Sequence, residues 1–583
     1  MIVPMKKIFI IVQTKDAREA LQDLRLSGVL HVEPSQPPQG QDLQLLQEEL
    51  GLINTSLNVY APMGILPKEN KAAAKIADWK VKARHLVELG KRYEQLQAYV
   101  RNLSLQISEW ERWGDFDPQE ILGLEQRGIY LRLYQVPVKE LKSFPPNAAV
   151  KNIFTAAGLA HCVVISHDKL ETTWKEIALP RQSLTQMKER LIEAQKTIAS
   201  LKQEVQDSLS FYSEWLRVKA QLEKEIEFQQ ALLGMAQAEQ LSYITGYLPG
   251  DAVAGLTQKA REKSWGCLMR EPREEDSVPT LIRNPRWVSL ISPMFKFLEI
   301  LPGYHELDIS PLFLIFFSLF FGMIIGDAGY GIIYILLTRW LQKKFSKKIE
   351  AKVFSLFYLL SSCAVIWGLL TGTVFGQEWY VATGLKPLIP ILKDTKFLQA
   401  FCFFIGALHL TLGHAWRAML KLPSFSALAD LGWISLLWAG FFLAKTLILD
   451  AAFPFFGKWL IIAGIALVIF FTNPQRNIFK AIGQGLGAVA LSLMNNFTDV
   501  VSYIRLFAVG LAGVAIADTM NSLAGAFGGN WGVRILILFL GHTLNIILGP
   551  MSVLVHGIRL NVLEFSSHAN IGWSGTAYKP LKA

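Results

Sequence analysis

Two long apolar stretches near the end of the chain, each carrying one arginine, constrain it most. They cover residues 483–568 and are broken at Gly528-Gly529-Asn530. The first contains LSLMNNFTDVVSYIRLFAVGLAGVAIA, with Arg505 near its middle. The second contains GHTLNIILGPMSVLVHGIRLNVLEF, with Arg559 towards its end. An arginine deep in an apolar helix costs about 2.5–3.5 kcal/mol on insertion scales, so it faces a bundle interior or a watery cavity and marks an ion path. At 100° per residue, Asn495, Thr498, Asp499, Ser502 and Arg505 fall on one stripe, and Asn545, Ser552, His556 and Arg559 on another. Each helix is therefore greasy around most of its girth, with one hydrophilic seam. A seam that only glues helices together rarely needs arginine.

The apolar text is unevenly placed. Hydrophobic residues make up 51% of the 583, and the long apolar runs lie after Ser310, whereas the first 300 residues are charged and ordinary. The expectation is a soluble half over 1–305 and a membrane half over 306–583. Cys162, Cys267, Cys363 and Cys402 are far apart and make neither a disulfide framework nor a zinc pattern. MIVPMKKIFIIV is too short an apolar run for a signal peptide. A formal charge of +10 suits a neighbour of anionic lipid headgroups, and no aromatic–basic motif points to nucleic acid.

The soluble half opens with α/β text. Lys6–Val12 reads as a strand, Lys15–Leu26 as a helix and Gly28–Val32 as a second strand. Two heptad series follow, Leu86, Tyr93, Val100, Ile107 and Leu89, Leu96, Leu103, Trp110. Strand-like text returns at Ile129–Val136 and Cys162–Ser166, with a short helix at Val138–Leu141. From Arg181 the heptads resume: Leu184, Leu191, Ile198, Val205, Tyr212 and Met187, Ala194, Leu201. Tyr243–Tyr247, Ala252–Lys263 and Trp265–Met269 then read as strand, helix and strand. This order predicts an α+β domain in which two α/β lobes are joined by an antiparallel coiled-coil arm, with helices over about 41–113 and 181–237. Such a strut suits a stator or scaffold. No GxxxxGK[ST], HExxH or GxSxG is present, so neither catalysis nor a cofactor is expected. His31, His85, His161 and His167 are isolated and read as satisfied or solvated.

In the membrane half, GDAGYG at 326–331 interrupts the apolar run 311–337. The basic loop 339–352 is expected on the cytoplasmic side, with the N-terminal half. An even number of crossings then lies between them, which favours two short spans turning at Gly326-Asp327. Asp327 reads as a turn former ahead of an ion site. Further spans are expected at 353–376, 397–416, 428–449, 456–472, 482–526 and 531–565, giving about eight crossings and a cytoplasmic C-terminus. Arg417, Lys421, Arg476 and Lys480 then fall inside, and Lys386, Lys393 and Lys396 fall outside. His409 and His414 read as packing residues. Gly483, Gly485 and Gly487 echo a dinucleotide loop, but no strand precedes them.

FFGMIIGDAGYG, SYIRLFAVGLA and LVHGIRLNVLEF, in this order after a charged helical half, closely resemble the membrane stator subunit a of V-type and A-type rotary ATPases, called subunit I in prokaryotes. PGYHELD, ending at Asp308, is similar to that family's lead-in to the membrane, and YKPL at 578–581 to its tail. The resemblance implies a prokaryotic cell-membrane protein that provides half-channels for H+ or Na+ against a rotating proteolipid c-ring. It also implies contacts with peripheral stalk subunits of the E/G type, with the central-stalk subunit capping the ring, and indirectly with the soluble ATPase head. The family's two membrane arginines correspond to Arg505 and Arg559, and its polar position ten residues before the first to Asn495. Carboxylates along the half-channels are fewer here. Asp499, Ser502, His556 and Glu564 are the remaining candidates, and Glu564 has Lys579 and Lys582 as possible partners.

Arginine keeps its proton at any physiological pH, so it acts as a fixed charge and not as a carrier. At about 4 Å and an effective dielectric near 20, it attracts a carboxylate by roughly 4 kcal/mol, or about three pKa units. Two other classes are compatible with charged membrane helices. An ion-coupled secondary transporter predicts an internal inverted repeat, and none is visible. A structural membrane anchor predicts that both arginines are dispensable.

Overall fold

The computed structural model describes residues 1–65, 78–170, 173–378, 389–472, 478–527 and 529–582. Lys386, Arg476 and Gly528, named above, lie outside the described residues. The chain divides into two compact units. One comprises residues 11–28, 32–245 and 581–583; the other comprises 1–10, 29–31 and 246–580.

The chain begins with β1 (Met5–Gln13), α1 (Ala17–Ser27) and β2 (His31–Glu33). Gly28 closes α1 in the left-handed region, a conformation that suits glycine. Next come α2 (Gln41–Asn58), α3 (Trp79–Trp110) and α4 (Pro118–Glu125), the last opened by an Asp117 cap and Pro118 at its first position. Strands β3 (Tyr130–Pro137), β4 (Ala149–Ala156), β5 (Leu159–Ser166) and β6 (Lys175–Ile177) form a sheet of order β4-β5-β3-β6, antiparallel throughout, with Tyr134 opposite Cys162. In β4 and β6 the sequences AVKNIFTA and KEI lack a clean alternation, and most of their residues are exposed, so the period-2 signal was faint. Val138–Leu141 lies in a 3-10 turn over Val138–Ser143.

α5 (Leu184–Asp207) starts in a capping box between Ser183 and Gln186. α6 (Tyr212–Leu233) follows a 3-10 turn, Ser208–Phe211. Neither long helix expected here is continuous. The segment 181–237 breaks where the Ser208 and Ser210 hydroxyls donate to the carbonyls of Val205 and Asp207, at 2.6 and 3.1 Å. The segment 41–113 breaks after Asn58. α3 and α5 pack antiparallel. Leu103, Ile107 and Trp110 of α3 share one core cluster with Met187, near the start of α5, whereas Leu86, Leu89 and Tyr93 share another with Leu201 and Val205, near its end. The heptad positions supply most of this seam, although Leu96, Val100, Leu184, Leu191 and Ile198 are only half-buried.

Strands β7 (Ala236–Ala238), β8 (Leu241–Pro249) and β9 (Gly266–Arg270) flank α7 (Val253–Glu262). The sheet runs β2-β8-β1-β9, with β7 on β8. α8 (Ser292–Leu298) leads to the apolar helices. α9 (Ser310–Ile325) and α10 (Ala328–Phe345) are bent by 119° at Gly326-Asp327. Gly326 adopts φ +65°, and Asp327 caps α10 by accepting from the Tyr330 amide at 3.1 Å and from the Gly376 amide at 2.7 Å. Fully buried, Asp327 closes the turn.

α11 (Ala351–Thr371), α12 (Thr395–Lys421), α13 (Ala427–Leu449), α14 (Gly457–Phe471), α15 (Ile478–Ser502), α16 (Ile504–Ala526) and α17 (Trp531–Ser552) follow. α17 continues through π-helical segments Val553–Gly557 and Leu560–Phe565 into α18 (Ser566–Ala569). Gly483, Gly485 and Gly487 are within helix α15. Among the described residues, five helices are long and apolar enough to cross a membrane, or six when the bent pair counts as one span. The expected count of eight also takes in α14, which has 15 residues, and counts the bent pair twice. α9 occupies the middle of this unit: Phe313, Phe317 and Phe320 are buried against residues of α12, α16 and the segments after α17. Gly368 of α11 lies so close to the Asp327–Ala328 backbone that a Cβ there would be 2.0 Å from the Ala328 nitrogen.

Candidate functional site

Polar side chains inside the apolar helices collect into three clusters. The first holds both arginines. Arg505 is the second residue of α16, directly after the break at Tyr503, and its Nε donates to the Ser502 carbonyl at 3.0 Å. Its terminal nitrogen is 2.5 Å from Glu564 Oε1, and Arg559 Nε is 3.4 Å from the same oxygen. Glu564 is buried, whereas the Arg559 side chain is 55% exposed. Glu564 Oε2 is buried with no hydrogen-bond partner among the described residues. Glu564 therefore pairs with the two arginines and not with Lys579 or Lys582; the two lysines lie in the tail, beyond the helix that carries Glu564. The cluster is a carboxylate bound on one side by a half-buried guanidinium and on the other by one that reaches outward.

The second cluster takes Asp499 away from Arg505. Asp499 Oδ2 is 3.0 Å from His568 Nε2, and His568 Nδ1 is 2.9 Å from His414 Nε2. His414 Nδ1 lies 3.5 Å from Asp430, which also meets Arg417 at 2.5 Å and Lys421 at 2.7 Å. Asp430 is completely buried. His414 thus belongs to a charged network and not to apolar packing alone. His409 is a packing residue: it is sandwiched between the rings of Phe316 and Phe565, and its Nδ1 is 2.8 Å from the Tyr503 hydroxyl. Asp430 and His568 were not singled out from the sequence, although an ionisable residue inside an apolar run such as ALADLGWISLLWAG is a signal in itself.

The third cluster lies towards the other end of α16. The Tyr330 hydroxyl is 2.7 Å from His542 Nδ1 and accepts from Asn545 at 3.1 Å. His542 Nε2 is 3.1 Å from Asn521, whose amide donates to the Phe375 carbonyl at 2.7 Å. Asn545 also donates to the Gly513 carbonyl at 2.7 Å.

The two expected seams are therefore each divided. On α15, Asn495 and Thr498 are exposed and Asp499 joins the histidines, whereas Arg505, past the break at Tyr503 on α16, turns to Glu564. The Ser502 side chain is half-buried, and only its carbonyl meets Arg505. On the last helix, Asn545 is buried in the third cluster while Arg559 is exposed. Pro550 and the π segment Val553–Gly557 interrupt the 100° phase between them. His556 lies in the first π segment, half-buried, with no hydrogen bond or ion pair among the described residues.

No protein-family model matches the chain. It is similar to V-type ATP synthase subunit I 1 of Treponema pallidum, 30% identical over 624 residues with 100% of each chain covered. It is also similar to V-type ATP synthase subunit I of Borreliella burgdorferi, 30% identical over 623 residues, covering 100% of this chain and 99% of the relative. A more distant similarity, 25% over 480 residues, joins it to A-type ATP synthase subunit I of Methanocaldococcus jannaschii and covers 71% and 68% of the two chains.

Proposed function

Because this chain belongs to the subunit I family of V-type and A-type ATP synthases, we propose that it forms the static wall past which ring carboxylates unload and reload H+ or Na+. Subunit I is a non-catalytic membrane subunit, and this one is multi-pass. In our reading residues 1–305 are the cytoplasmic arm that reaches the peripheral stalks through the paired helices α3 and α5. Residues 306–583 cross the membrane about eight times and return the C-terminus to the cytoplasm. The proteolipid c-ring, the E/G-type stalks and the cap of the central stalk are the direct partners, with the ATPase head reached through them.

One observation carries the reading. Arg505 and Arg559 share a single internal counter-ion, Glu564, and Arg559 is left exposed. Two positive charges against one negative leave an uncompensated charge at the apolar surface, which a passing carboxylate would complete. Such a carboxylate gives up its ion beside the arginines, since an adjacent fixed cation favours its charged form. The exposed Asn495 and Thr498 on the preceding helix offer polar contacts on the approach. The clusters around Asp499–His568–His414 and around Tyr330–His542 lie towards opposite ends of the arginine helix. They are the natural linings of two separate half-channels, with the arginines blocking a direct leak between them. His556, beside Arg559, is a candidate water-holding residue on this route.

The test is Arg505→Lys in the assembled complex. Lysine keeps a charge but loses the fork that reaches both the Ser502 carbonyl and Glu564. ATP-driven ion transport is expected to fall to background while the complex still assembles. Transport at the wild-type rate in vesicles would remove Arg505 from the mechanism.

A further inference from the structure

A second charged site lies away from the arginines, where the apolar helices begin. A cavity of about 870 Å³ is bounded by α8, the first residue of α9, the start of α11 and the C-terminal tail. Four cations line it, Arg283, Lys296, Lys352 and Lys579, against one carboxylate, Glu299. Arg283 is paired with Asp251 and Lys296 with Glu350, at 2.8 Å for the latter. Lys352 and Lys579 have no ion pair among the described residues. The lip of the cavity is strained: Glu299 ends α8 at φ 54°, a left-handed conformation unusual for glutamate.

The tail that supplies Lys579 is firmly held. The Thr280 amide donates to the Thr576 carbonyl at 2.7 Å, the Tyr578 amide returns to the Thr280 carbonyl at 3.1 Å, and His31 Nδ1 accepts from the Lys579 amide at 3.0 Å. Lys579 is therefore fixed at its backbone beside the cavity. Two aromatic side chains on the same segment are uncovered: Trp287 is 54% exposed and Phe297 70%. Trp287 stands immediately before, and Phe297 near the end of, a short apolar helical stretch, Val288–Leu298, that precedes the first membrane helix. Exposed aromatics on such a stretch suit the headgroup boundary of a bilayer.

We propose that this cavity binds the phosphate of an anionic phospholipid from the leaflet facing the N-terminal half. Lys352 and Lys579 contact the phosphate, and Trp287 and Phe297 lie against its acyl chains. A basic pocket beside membrane helices has the chemistry for such a headgroup. A free phosphate would satisfy the lysines and leave the two aromatic rings in water, so the lipid accounts for both observations. The bland alternative, solvated lysines that only set topology, requires neither a cavity nor adjacent aromatics.

The test uses the full chain purified in detergent and stripped of lipid, titrated with phosphatidylglycerol or phosphatidylcholine and read by native mass spectrometry. One tightly held phosphatidylglycerol per chain is expected, with phosphatidylcholine far weaker. Lys352→Ala with Lys579→Ala should weaken it about 25-fold, at roughly fivefold per lysine. The control Lys343→Ala with Lys347→Ala, in the last turn of α10 and just after it and outside the cavity lining, should leave it unchanged. Unaltered phosphatidylglycerol binding in the first pair overturns the proposal. Equal losses in both pairs also overturn it, since they mean general surface attraction. Inorganic phosphate binding with the same lysine dependence and no preference for the lipid assigns the site to a soluble anion and overturns the lipid reading. Should the first pair misfold, photo-cross-linking of the wild type with a headgroup-labelled phosphatidylglycerol decides. Labels on 283–299 and 575–579 support the site, and labels confined to 339–350 refute it.

Discussion

Asp430 and Glu564 are both buried carboxylates in apolar helices, each beside two basic side chains, but they differ in what closes them. Asp430 is met by Arg417 and Lys421 from the end of the preceding helix, faces His414, and has no exposed surface. Its charge is compensated within the chain. Glu564 answers two arginines alone, and one of these is more than half exposed. A sealed ion cluster fixes helices, and an open one leaves charge for something outside the chain. The contrast separates the compensated cluster of Asp430 from the open one for which we propose a transport role, even though both sites look alike in composition.

The largest effect expected is at the sealed site. Asp430→Asn should destabilise the membrane unit by about 3–5 kcal/mol, because it removes the buried carboxylate that two half-buried cations share. Thermal unfolding in detergent measures this, and a wild-type midpoint would break the comparison. Glu564→Gln should cost less stability, about 1.5–3 kcal/mol for one lost charge-assisted contact, while transport falls disproportionately because the arginines lose their resident counter-ion. A fall in stability with transport per assembled complex unchanged would place Glu564 with Asp430.

Asp276 supplies a reference outside the apolar helices. It accepts from Lys7 at 2.8 Å, from the Arg273 amide at 2.8 Å and from Arg270 at 3.2 Å. The Lys7 hydrogen bond, with the Arg273 amide and both charges behind it, holds its carboxyl below the ordinary range. A lowered folded pKa gives stability that is complete above the unfolded value, about 3.9, and is lost as pH falls through the folded one. Asp276→Asn should therefore flatten the acid limb of the unfolding-midpoint curve below about pH 4, with a loss near 1–2 kcal/mol at pH 7. An acid limb identical to wild type would remove this contribution. The smallest stability change is expected for Arg559→Ala, within about 1 kcal/mol for an exposed partner. A larger loss would show that the open cluster is structural after all.

Several elements are legible in the sequence. Strand β1, the helix after it, α7 and the heptad positions of α3 and α5 follow from short-range pattern. So does the turn at Gly326-Asp327, where glycine and a capping aspartate announce a break. The helix interruption at Ser208–Phe211 was not legible, because the heptad series runs through it and only the serine hydroxyls betray it. The cluster around Asp430 was not legible either, since its cations read as loop charges that merely fix topology.

By itself the sequence determined that two arginines stand in long apolar helices, and that the residues around them are polar on one side. Periodicity along a single helix carries that much, because it depends only on a fixed rotation per residue. The partner of each polar group was decided by tertiary structure alone. Asp499 and Arg505 share one stripe, yet the first meets His568 and the second Glu564, because pairing depends on how neighbouring helices are turned. On the last helix the π segment Val553–Gly557 alters that rotation, so a seam drawn straight through the sequence is buried at Asn545 and faces outward at Arg559.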